Sequence, residues 1–444
     1  METFLRTTEK FIPKSVYRFF QPAYHFLLAL AGAVIYRFPS DKLIVVGVTG
    51  TKGKSSTSEI LNRIFEEAGY KTALSGTIRF KVGDASRPNM YKMSMPGRMF
   101  MQRFLREAVN TGCTHAVIEM TSEGAKQLRH YFIGLDALVV TNISPEHIEA
   151  HGSYENYVGA KLSIAQSLQR SWMKEATSNK KGVLILNSDD KEYPRFAAVR
   201  APQIAYSLRD AEPYSLGGEQ QRMSAETAPE GITMSFKGQT IHSPLVGLFN
   251  IYNILAAATA ANRFNVSTDT IVSALADFDG IKGRVEKVLS GSAKQDFEVI
   301  VDYAHTADSL EKLYQAFPNQ HKVCVLGSTG GGRDQWKRPE MGKIADRYCD
   351  QIILTNEDPY DEDPMKIINE VKAGIATTPC EVIIDRREAI ARAISLAKTG
   401  NAVLITGKGT DPYIMTADGG KTPWSDATVA KEELEKALAT PAAK

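Results

Sequence analysis

Cysteine is scarce in this sequence, with four residues in 444 and no C-x-x-C pair among them. Zinc ribbons need closely spaced ligand pairs, and disulfide-rich domains need many cysteines in a short chain. Neither a zinc site nor a disulfide framework is therefore indicated. We expect Cys113, Cys324, Cys349 and Cys380 to be reduced, mostly buried thiols, as is usual in a cytoplasmic protein.

The chain also lacks an excess of charge of either sign. Its 53 Lys and Arg residues nearly balance 51 Asp and Glu residues, and no run of Lys or Arg occurs. Proteins that bind nucleic acids usually concentrate positive charge in such runs or patches. We expect no nucleic-acid partner. The length is sufficient for two or three domains with their own hydrophobic cores.

Long hydrophobic runs are absent except near the start, where residues 19–36 contain no Lys, Arg, Asp or Glu. A bilayer span takes about 17–25 residues, so this segment is near the lower limit. No small-residue cleavage site of a signal peptide follows it. A helix packed on protein, a helix at the membrane surface and a true span all remain open. The packed helix is the first interpretation, and the flanking aromatic residues with the preceding Lys10, Lys14 and Arg18 are compatible with the two membrane alternatives. We expect a cytoplasmic protein, with a peripheral position at the inner face of the membrane as an alternative.

Apolar segments of strand length alternate with helix-like segments from about residue 41 onwards. Strands of parallel sheets are buried on both faces and read as continuous apolar runs, and helices connect them. Residues 200–245 differ, because their alternating polarity predicts antiparallel ribbons. The predicted parallel strands are residues 43–48, 115–120, 137–141 and 182–187 in a first set, and residues 298–302, 322–327, 351–355, 381–385 and 402–406 in a second.

The most informative motif is Thr-Gly-Thr-Lys-Gly-Lys-Ser-Ser at residues 49–56, between the first predicted strand and a helix. Such a turn cradles a triphosphate, because its backbone N–H groups and the positive end of the helix dipole face the phosphate oxygens. Five residues separate Gly47 from Gly53, where the common pattern has four. Lys54 would add a positive charge, and Ser55 a hydroxyl ligand for Mg²⁺. We expect the nucleotide to contact Gly50, Thr51, Lys52, Gly53, Lys54, Ser55 and Ser56.

These features predict an α/β protein with two large domains. A central P-loop-type ATPase domain with a mostly parallel sheet is predicted at residues 41–283. A Rossmann-like α/β domain is predicted at residues 284–444. A short apolar helical segment at residues 1–40 precedes both.

Polar residues follow several predicted strands, at the edge where open α/β sheets bind ligands. Glu119 ends one strand and could hold Mg²⁺ through a carboxylate oxygen. His147 and Lys161 flank a loop and a helix start after another strand. In the second set, carboxylates, an imidazole and several cations that suit phosphate or carboxylate groups occur at residues 302–308, 330–339 and 407–411.

In their order along the chain these motifs resemble those of the Mur ligases, most of all the MurE type, which adds an amino acid to a UDP-N-acetylmuramoyl-dipeptide. The resemblance runs from about residue 43 to residue 426 and depends on many ordered blocks rather than one. Besides the loop, the matching blocks are residues 119–129, 141–161, 247–257, 283–286, 302–306, 333–342, 358–364 and 407–409.

The resemblance implies an ATP-dependent amide-forming ligase of peptidoglycan precursor synthesis that works through an acyl phosphate. Lys54, Lys161 and His147 would be catalytic, with Lys161 carbamylated. Two Mg²⁺ sites are implied, one at Ser55 and Glu119 and one at Lys161 and His147. The resemblance further implies that Asn250, Asn253, Arg284, Asp302, Arg333 and Lys337 bind the nucleotide. Ser122, Gln127 and Arg129 would contact the muramoyl-peptide, and Asp358, Tyr360, Gly407 and Asp411 the amino acid.

The sequence departs from the MurE type in three places. Only about 40 residues precede the first strand, too few for the uridine-binding domain of that type. Tyr360 stands where diaminopimelate-adding enzymes have arginine, and Asp411 ends a changed G-K-G-H-E motif. The amino acid and the oligomeric state therefore stay open. Alternatives are a folylpolyglutamate-like ligase, a ligase or amidating enzyme acting on a lipid-linked precursor, and a non-catalytic protein on the ligase fold.

Overall fold

The structure is a computed structural model that describes residues 14–146, 148–170, 182–208, 225–228, 231–291, 294–332 and 335–439. Contacts within the chain divide it into two compact units. The first comprises Met1–Arg222 and Tyr252–Ala274, and the second comprises Met223–Ile251 and Leu275–Lys444. The domain boundaries predicted at residues 40/41 and 283/284 stay predictions.

The first unit is built on an eight-stranded sheet. Its strands are β1 Ile44–Thr49, β2 Thr72–Ser75, β3 Arg79–Val82, β4 Ala85–Pro88, β5 His115–Glu119, β6 Ala137–Val140, β7 Val183–Asn187 and β8 Gln203–Tyr206. They lie in the order β4-β3-β2-β5-β1-β6-β7-β8, and the six strands from β2 to β8 run parallel. Strands β3 and β4 extend one edge as an antiparallel meander. The predicted parallel strands of this part are confirmed, and the ribbon predicted around β8 is wrong because β8 pairs with β7 in parallel.

Helices follow most strands of the first unit and bury its sheet. They are α1 Lys14–Ile35, α2 Lys54–Glu67, α3 Arg98–Asn110, α4 Ser122–Lys126, α5 Ile148–His151, α6 Tyr154–Ser167 and α7 Tyr193–Ala197, with 3₁₀ turns at Pro39–Lys42 and Leu168–Arg170. Helices α8 Leu248–Arg263 and α9 Thr268–Ala276 contain the points at which the chain passes from one unit to the other. The apolar strands and helix faces form a buried core, as expected for a parallel sheet.

Helix α1 packs along α3. Ala29 and Ala33 are buried, and a Cβ atom at Gly32 would lie 3.1 Å from the sulfur of Met99, so the two helices approach closely. The opposite face of α1 is exposed and apolar. No helix in the part of the chain that the structure describes has both the length and the hydropathy that a bilayer span requires. One face of α1 therefore packs on protein, as one of the three alternatives predicted, and the opposite face is exposed.

The second unit contains a six-stranded sheet and two small antiparallel sheets. The small sheets consist of β9 Ala225–Ala228, β10 Gly231–Phe236 and β11 Gln239–Ser243, and of β18 Tyr413–Met415 and β19 Lys421–Pro423. The large sheet consists of β12 Glu286–Lys287, β13 Glu298–Asp302, β14 Lys322–Leu326, β15 Gln351–Leu354, β16 Cys380–Val382 and β17 Ala402–Thr406. Its order is β12-β13-β17-β14-β15-β16, and all pairs except β12–β13 are parallel.

Five helices accompany these sheets: α10 Ala307–Gln315, α11 Lys337–Tyr348, α12 Pro364–Lys372, α13 Arg386–Leu396 and α14 Asp426–Ala439, with a 3₁₀ turn at Ala417–Gly419. The second set of predicted strands is confirmed, although β16 is shorter than predicted. Antiparallel ribbons were expected within residues 200–245, and β9, β10 and β11 confirm this.

The expectation of four free thiols is wrong for two of the cysteines. Cys324 in β14 and Cys349 directly after α11 form a disulfide, with their Cα atoms 6.1 Å apart. They are 25 residues apart in sequence, so no local spacing pattern could reveal the pair, and only the packing of α11 beside the sheet brings them together. Cys113 and Cys380 are free thiols, and Cys113 is buried.

Candidate active site

The glycine-rich loop joins β1 to α2 and requires glycine at two positions. Gly50 has a φ of 144°, and a Cβ atom there would lie 1.9 Å from Thr141 Oγ1. Gly53 has a φ of 80°, and its Cβ atom would lie 2.3 Å from Asn253 Oδ1. Other residues rarely adopt these φ angles, and no side chain fits in these spaces. The loop backbone therefore runs close against the segment after β6 and against α8.

Hydrogen bonds from the segment after β6 hold the loop in place. Asn142 accepts from the Lys52 backbone N–H at 2.9 Å and donates to the Lys52 carbonyl at 3.0 Å. The hydroxyls of Thr51 and Tyr157 are 2.7 Å apart. Sequence reasoning did not single out Asn142 or Tyr157. Their position in the block directly after a predicted strand was the available signal.

Two lysine side chains converge on one carbonyl group of this loop. Lys54 Nζ donates to the carbonyls of Gly50 at 3.1 Å and Thr51 at 2.8 Å. Lys161 Nζ, reaching from α6, donates to the same Gly50 carbonyl at 2.7 Å and is only 2% exposed. Two ammonium groups so close together repel each other, and burial further disfavours the charged form.

The electrostatic consequence is that the pKa of Lys161 lies well below its ordinary value. Burial is the largest cause, the positive charge of Lys54 adds to it, and Glu146 partly opposes it. A lowered pKa increases the fraction of unprotonated amine, the form in which lysine is a nucleophile. The structure thus places a buried lysine with a lowered pKa beside the glycine-rich loop.

Glu146 also pairs with the loop itself. Its carboxylate accepts from Lys52 Nζ at 2.5 Å, and this ion pair is mostly buried. His147, which the sequence predicts to be a catalytic and metal-binding residue, lies outside the described residues.

Glu119 lies at the carboxyl end of β5, beside the start of the loop. Its carboxylate accepts from Ser55 Oγ at 3.1 Å, from the Thr77 backbone N–H at 2.7 Å and from Thr77 Oγ1 at 2.9 Å. Ser55 is the second residue of α2, directly after the loop, so the predicted Ser55 and Glu119 pair is brought together. Ser56 is buried in the same turn.

The donor set at this point suits Mg²⁺ bound through phosphates rather than in a protein cage. One carboxylate and one hydroxyl are hard oxygen ligands, and Mg²⁺ usually keeps several waters and adds substrate phosphates. In the described ranges no group of three or more His, Cys, Asp and Glu residues could hold a metal ion. The residues present therefore fit a magnesium ion that arrives with a nucleotide.

The predicted muramoyl-peptide residues lie at and after α4. Ser122 Oγ is 3.1 Å from His151 Nε2, and both side chains are buried. Arg129 Nη2 donates to Gln127 Oε1 at 2.8 Å. These three predicted residues thus belong to one short segment of the first unit, and its contacts reach α5 through His151.

The two predicted adenine-side asparagines lie three residues apart on α8. Asn250 Nδ2 donates to the Val246 carbonyl at 2.9 Å. Asn253 Oδ1 accepts from Thr57 Oγ1 at 3.3 Å. Each is buried and holds a neighbouring segment.

In the second unit, the predicted nucleotide residues near β13 have defined positions. Asp302 accepts from the backbone N–H of Val285 at 2.8 Å and of Ala304 at 2.7 Å. The guanidinium of Arg284 lies 4.4 Å from the ring centroid of Tyr303, a cation–π contact. Lys337 is buried at the start of α11, and Arg333 lies outside the described residues.

The predicted amino-acid residues of the second unit surround a buried lysine that the sequence prediction did not include among them. Lys408 Nζ donates to Asp358 Oδ1 at 2.7 Å and lies 3.5 Å from Asp411 Oδ2. Gly407 has a φ of 106°, and a Cβ atom there would lie 2.4 Å from Glu357 Oε2. Tyr360 also has a positive φ, 52°.

Comparison with known proteins identifies the family of the chain. Residues 48–261 match the family model described as Mur ligase middle domain, and residues 283–409 match that described as Mur ligase, glutamate ligase domain. A relative from Syntrophomonas wolfei subsp. wolfei, named UDP-N-acetylmuramoyl-L-alanyl-D-glutamate--2,6-diaminopimelate ligase, is 36% identical over 88% of this chain and 78% of its own length. The chain belongs to the Mur ligase family. As a Mur ligase it is an ATP-dependent ligase, and the predicted family and enzyme class are confirmed.

Solved structures agree with this assignment. A structure titled UDP-N-acetylmuramoyl-L-alanyl-D-glutamate--2,6-diaminopimelate ligase is 26% identical to this Mur ligase, with a TM-score of 0.60 over 90% of this chain and 79% of that one. Folylpolyglutamate synthase of Mycobacterium tuberculosis is 15% identical, with a TM-score of 0.65 over 86% of this chain and 92% of that one, and shares the fold. The predicted α/β fold class with mostly parallel sheets is confirmed.

Proposed function

We propose that this Mur ligase joins an amino acid to the peptide carboxylate of a UDP-N-acetylmuramoyl-peptide, in a step of peptidoglycan precursor synthesis. ATP would phosphorylate the carboxylate to an acyl phosphate, and the amine of the amino acid would then displace phosphate. The observation that carries the proposal is the convergence of Lys54 and Lys161 on the Gly50 carbonyl, with Ser55 and Glu119 beside it. This is the cation and oxygen-ligand arrangement that phosphoryl transfer needs.

The residues of the loop would hold the nucleotide. The backbone N–H groups of residues 50–56 and Lys54 would bind the phosphates, and Ser55 with Glu119 would hold Mg²⁺. When bound, Mg²⁺ neutralises charge between the phosphates and the attacking carboxylate. Asn250, Asn253, Arg284, Asp302, Arg333 and Lys337 are proposed to contact the rest of the nucleotide.

Lys161 is proposed to be carbamylated. Its unprotonated amine would attack carbon dioxide, so that a nitrogen–carbon bond forms and one proton leaves to solvent. The product is an anionic carbamate in place of a cation. Such a group beside Lys54 would turn the repulsion between two ammonium groups into an attraction, and it could ligate a second Mg²⁺ together with His147.

The acceptor and the amino acid are proposed to bind to different units. Ser122, Gln127 and Arg129 would contact the muramoyl-peptide. Asp358, Tyr360, Gly407 and Asp411 would contact the amino acid. Because Tyr360 lacks a guanidinium, it cannot form the paired hydrogen bonds that arginine makes to a carboxylate. The Asp358–Lys408–Asp411 cluster is therefore the better candidate for selecting among amino acids.

The proposal is tested by phosphate release from ATP with UDP-N-acetylmuramoyl-L-alanyl-D-glutamate and a panel of amino acids. We expect at least one amino acid to give release that depends on both substrates, together with a product whose mass is that of the amide. Lys54→Ala should abolish this release, because it removes a phosphate-binding cation, whereas Lys42→Ala, on an exposed residue, should not. Phosphate release only with lipid-linked acceptors, or no phosphate release with any amino acid of the panel, would contradict a soluble acceptor.

We propose a second contact, between the exposed face of α1 and the cytoplasmic surface of a membrane. Phe20, Leu27, Val34 and Ile35 are each between 57% and 61% exposed on this helix. The sequence has no Asp or Glu between residues 10 and 40, and basic residues precede and follow the apolar stretch. An apolar helix face with flanking positive charge favours binding to anionic lipid surfaces.

Sedimentation with vesicles tests this contact. The full chain should sediment with vesicles of phosphatidylglycerol and phosphatidylcholine and much less with phosphatidylcholine alone, and added salt should weaken the binding. Leu27→Glu should reduce sedimentation, and Leu289→Glu serves as the matched control because Leu289 is 60% exposed in the second unit. Equal effects of the two substitutions would exclude α1 as the contact.

A further inference from the structure

Helix α1 contributes a histidine to the segment proposed to bind the muramoyl-peptide. His25 is 7% exposed, and its Nδ1 lies 2.5 Å from Nη2 of Arg98, the first residue of α3. The close approach of α1 to α3 at Gly32 fixes the helix from which His25 extends. An imidazole from the N-terminal segment is therefore a direct partner of an arginine in the first unit.

Arg98 is in turn joined to Gln127, and so is Arg129. Arg98 Nε donates to the Gln127 carbonyl at 2.8 Å, whereas Arg129 Nη2 donates to the Gln127 side-chain oxygen at 2.8 Å. Arg129 Nη1 also donates to the carbonyl of Met95, in the loop just before α3. The two guanidinium groups thus hold the same glutamine from two sides.

The positive charges of both arginines act on the imidazole of His25. Burial is the largest cause that lowers the pKa of His25 to about 4, and Arg98 and Arg129 follow in that order. The imidazole is therefore neutral at neutral pH, and its Nδ1 can accept a hydrogen bond from Arg98. Because Arg98 and Arg129 both donate to Gln127, two positive charges lie close together here, and clustered positive charge favours an anionic ligand.

We propose that Arg98 binds an anionic group of the acceptor together with Arg129, and that His25 is the residue that positions Arg98. The inference rests on the proposed function, because Gln127 and Arg129 are placed at the acceptor there. It gives α1 a role at the acceptor site and adds a second arginine to it. The anion is a carboxylate of the muramoyl-peptide or the diphosphate of its nucleotide, and arginine binds both through paired hydrogen bonds.

Steady-state kinetics of Arg98 variants test the proposal. Arg98→Ala should raise the KM for the acceptor by about 10- to 100-fold, the range typical of a lost hydrogen bond to a charged group. The KM values for ATP and for the amino acid, and kcat, should change by less than about 3-fold, because Arg98 would not contact those substrates. Arg98→Lys keeps the charge and should fall between the wild type and Arg98→Ala. Arg103→Ala is the matched control, since Arg103 is an exposed arginine on the same helix.

His25 variants separate positioning from structure. His25→Leu removes the acceptor for Arg98 and should raise the acceptor KM by about 3- to 10-fold, whereas His25→Asn keeps an acceptor oxygen and should recover most of the loss. A merely structural role would move the melting temperature and kcat with both variants and would not be rescued by asparagine. That result, or an Arg98→Ala variant with the KM of Arg103→Ala, would overturn the inference.

Two further arms identify the anion and separate this inference from the proposed function. Repeating the comparison with muramoyl-dipeptide without the nucleotide assigns Arg98 to the peptide if the increase in acceptor KM persists, and to the diphosphate if it disappears.

Calorimetric titration with UDP-N-acetylmuramoyl-L-alanyl-D-glutamate measures binding of the acceptor without turnover. Binding that Arg98→Ala weakens would support the inference even if no amino acid is ligated. If the wild type does not bind this acceptor, the inference is overturned. If the wild type ligates and Arg98→Ala has an unchanged acceptor KM, the inference is overturned while the proposed function stands.

Discussion

Replacing Lys161 with alanine is expected to lower kcat by about 10²–10⁴-fold, the loss typical when a metal-binding group is removed from a reaction centre. The variant loses the buried amine that donates to the Gly50 carbonyl at 2.7 Å, and with it the site of the proposed carbamate. If Lys161 is carbamylated as proposed, added acetate or another short carboxylate should restore part of the activity, because a small anion can occupy the space that the carbamate leaves. Phosphate release measured against carboxylate concentration gives the result.

Lys161→Arg is the informative partner of this variant. Arginine keeps a positive charge and a hydrogen-bond donor but cannot be carbamylated, so it should be as inactive as alanine. Lys191→Ala, on an exposed lysine near α7, serves as the control. An active Lys161→Arg enzyme would exclude the carbamate. Absence of rescue by carboxylates would count against it as well, although not against a need for Lys161.

Glu119→Gln is expected to lower kcat by about 10²–10³-fold and to raise the Mg²⁺ concentration needed for half-maximal activity by about 10-fold. Glutamine has nearly the same shape but no negative charge, so the Thr77 contacts can persist while the proposed metal ligand is weakened. Titration of phosphate release with Mg²⁺ at saturating ATP measures the change. Glu107→Gln, on an exposed residue of α3, should leave the titration curve where it is. A Mg²⁺ titration curve for Glu119→Gln that matches the wild-type curve would contradict the proposal that Glu119 holds Mg²⁺.

Sequence patterns were sufficient to predict the central strands of both large sheets. Strands such as β1, β5 and β17 are continuous apolar runs, because parallel strands are covered on both faces. Strand β4 was not predicted, since all four of its residues are exposed and it has no apolar pattern. The packing of α1 on α3 was one of three alternatives, because residues 19–36 are apolar around most of the helix and do not indicate which face is buried.

The sequence was sufficient to predict which residues form the candidate site, but not which atoms of those residues contact one another. The motifs placed Lys54 after one predicted strand, Glu119 at the end of another, and Lys161 beyond a loop that follows a third. The structure brings these residues to the glycine-rich loop. The sharing of the Gly50 carbonyl joins residues 111 positions apart, and no sequence pattern encodes which atom a lysine reaches. The Cys324–Cys349 disulfide and the His25–Arg98 contact were missed for the same reason, since each depends on tertiary packing.

The most direct test of the acyl-phosphate reaction uses an acceptor whose peptide carboxylate is labelled with ¹⁸O. If the carboxylate attacks the γ-phosphate and the amine then displaces phosphate, one labelled oxygen moves from the acceptor into the phosphate that is released. Mass spectrometry of that phosphate should show one ¹⁸O atom for each amide bond formed. Unlabelled phosphate from the labelled acceptor, with oxygen derived from water instead, would contradict the account.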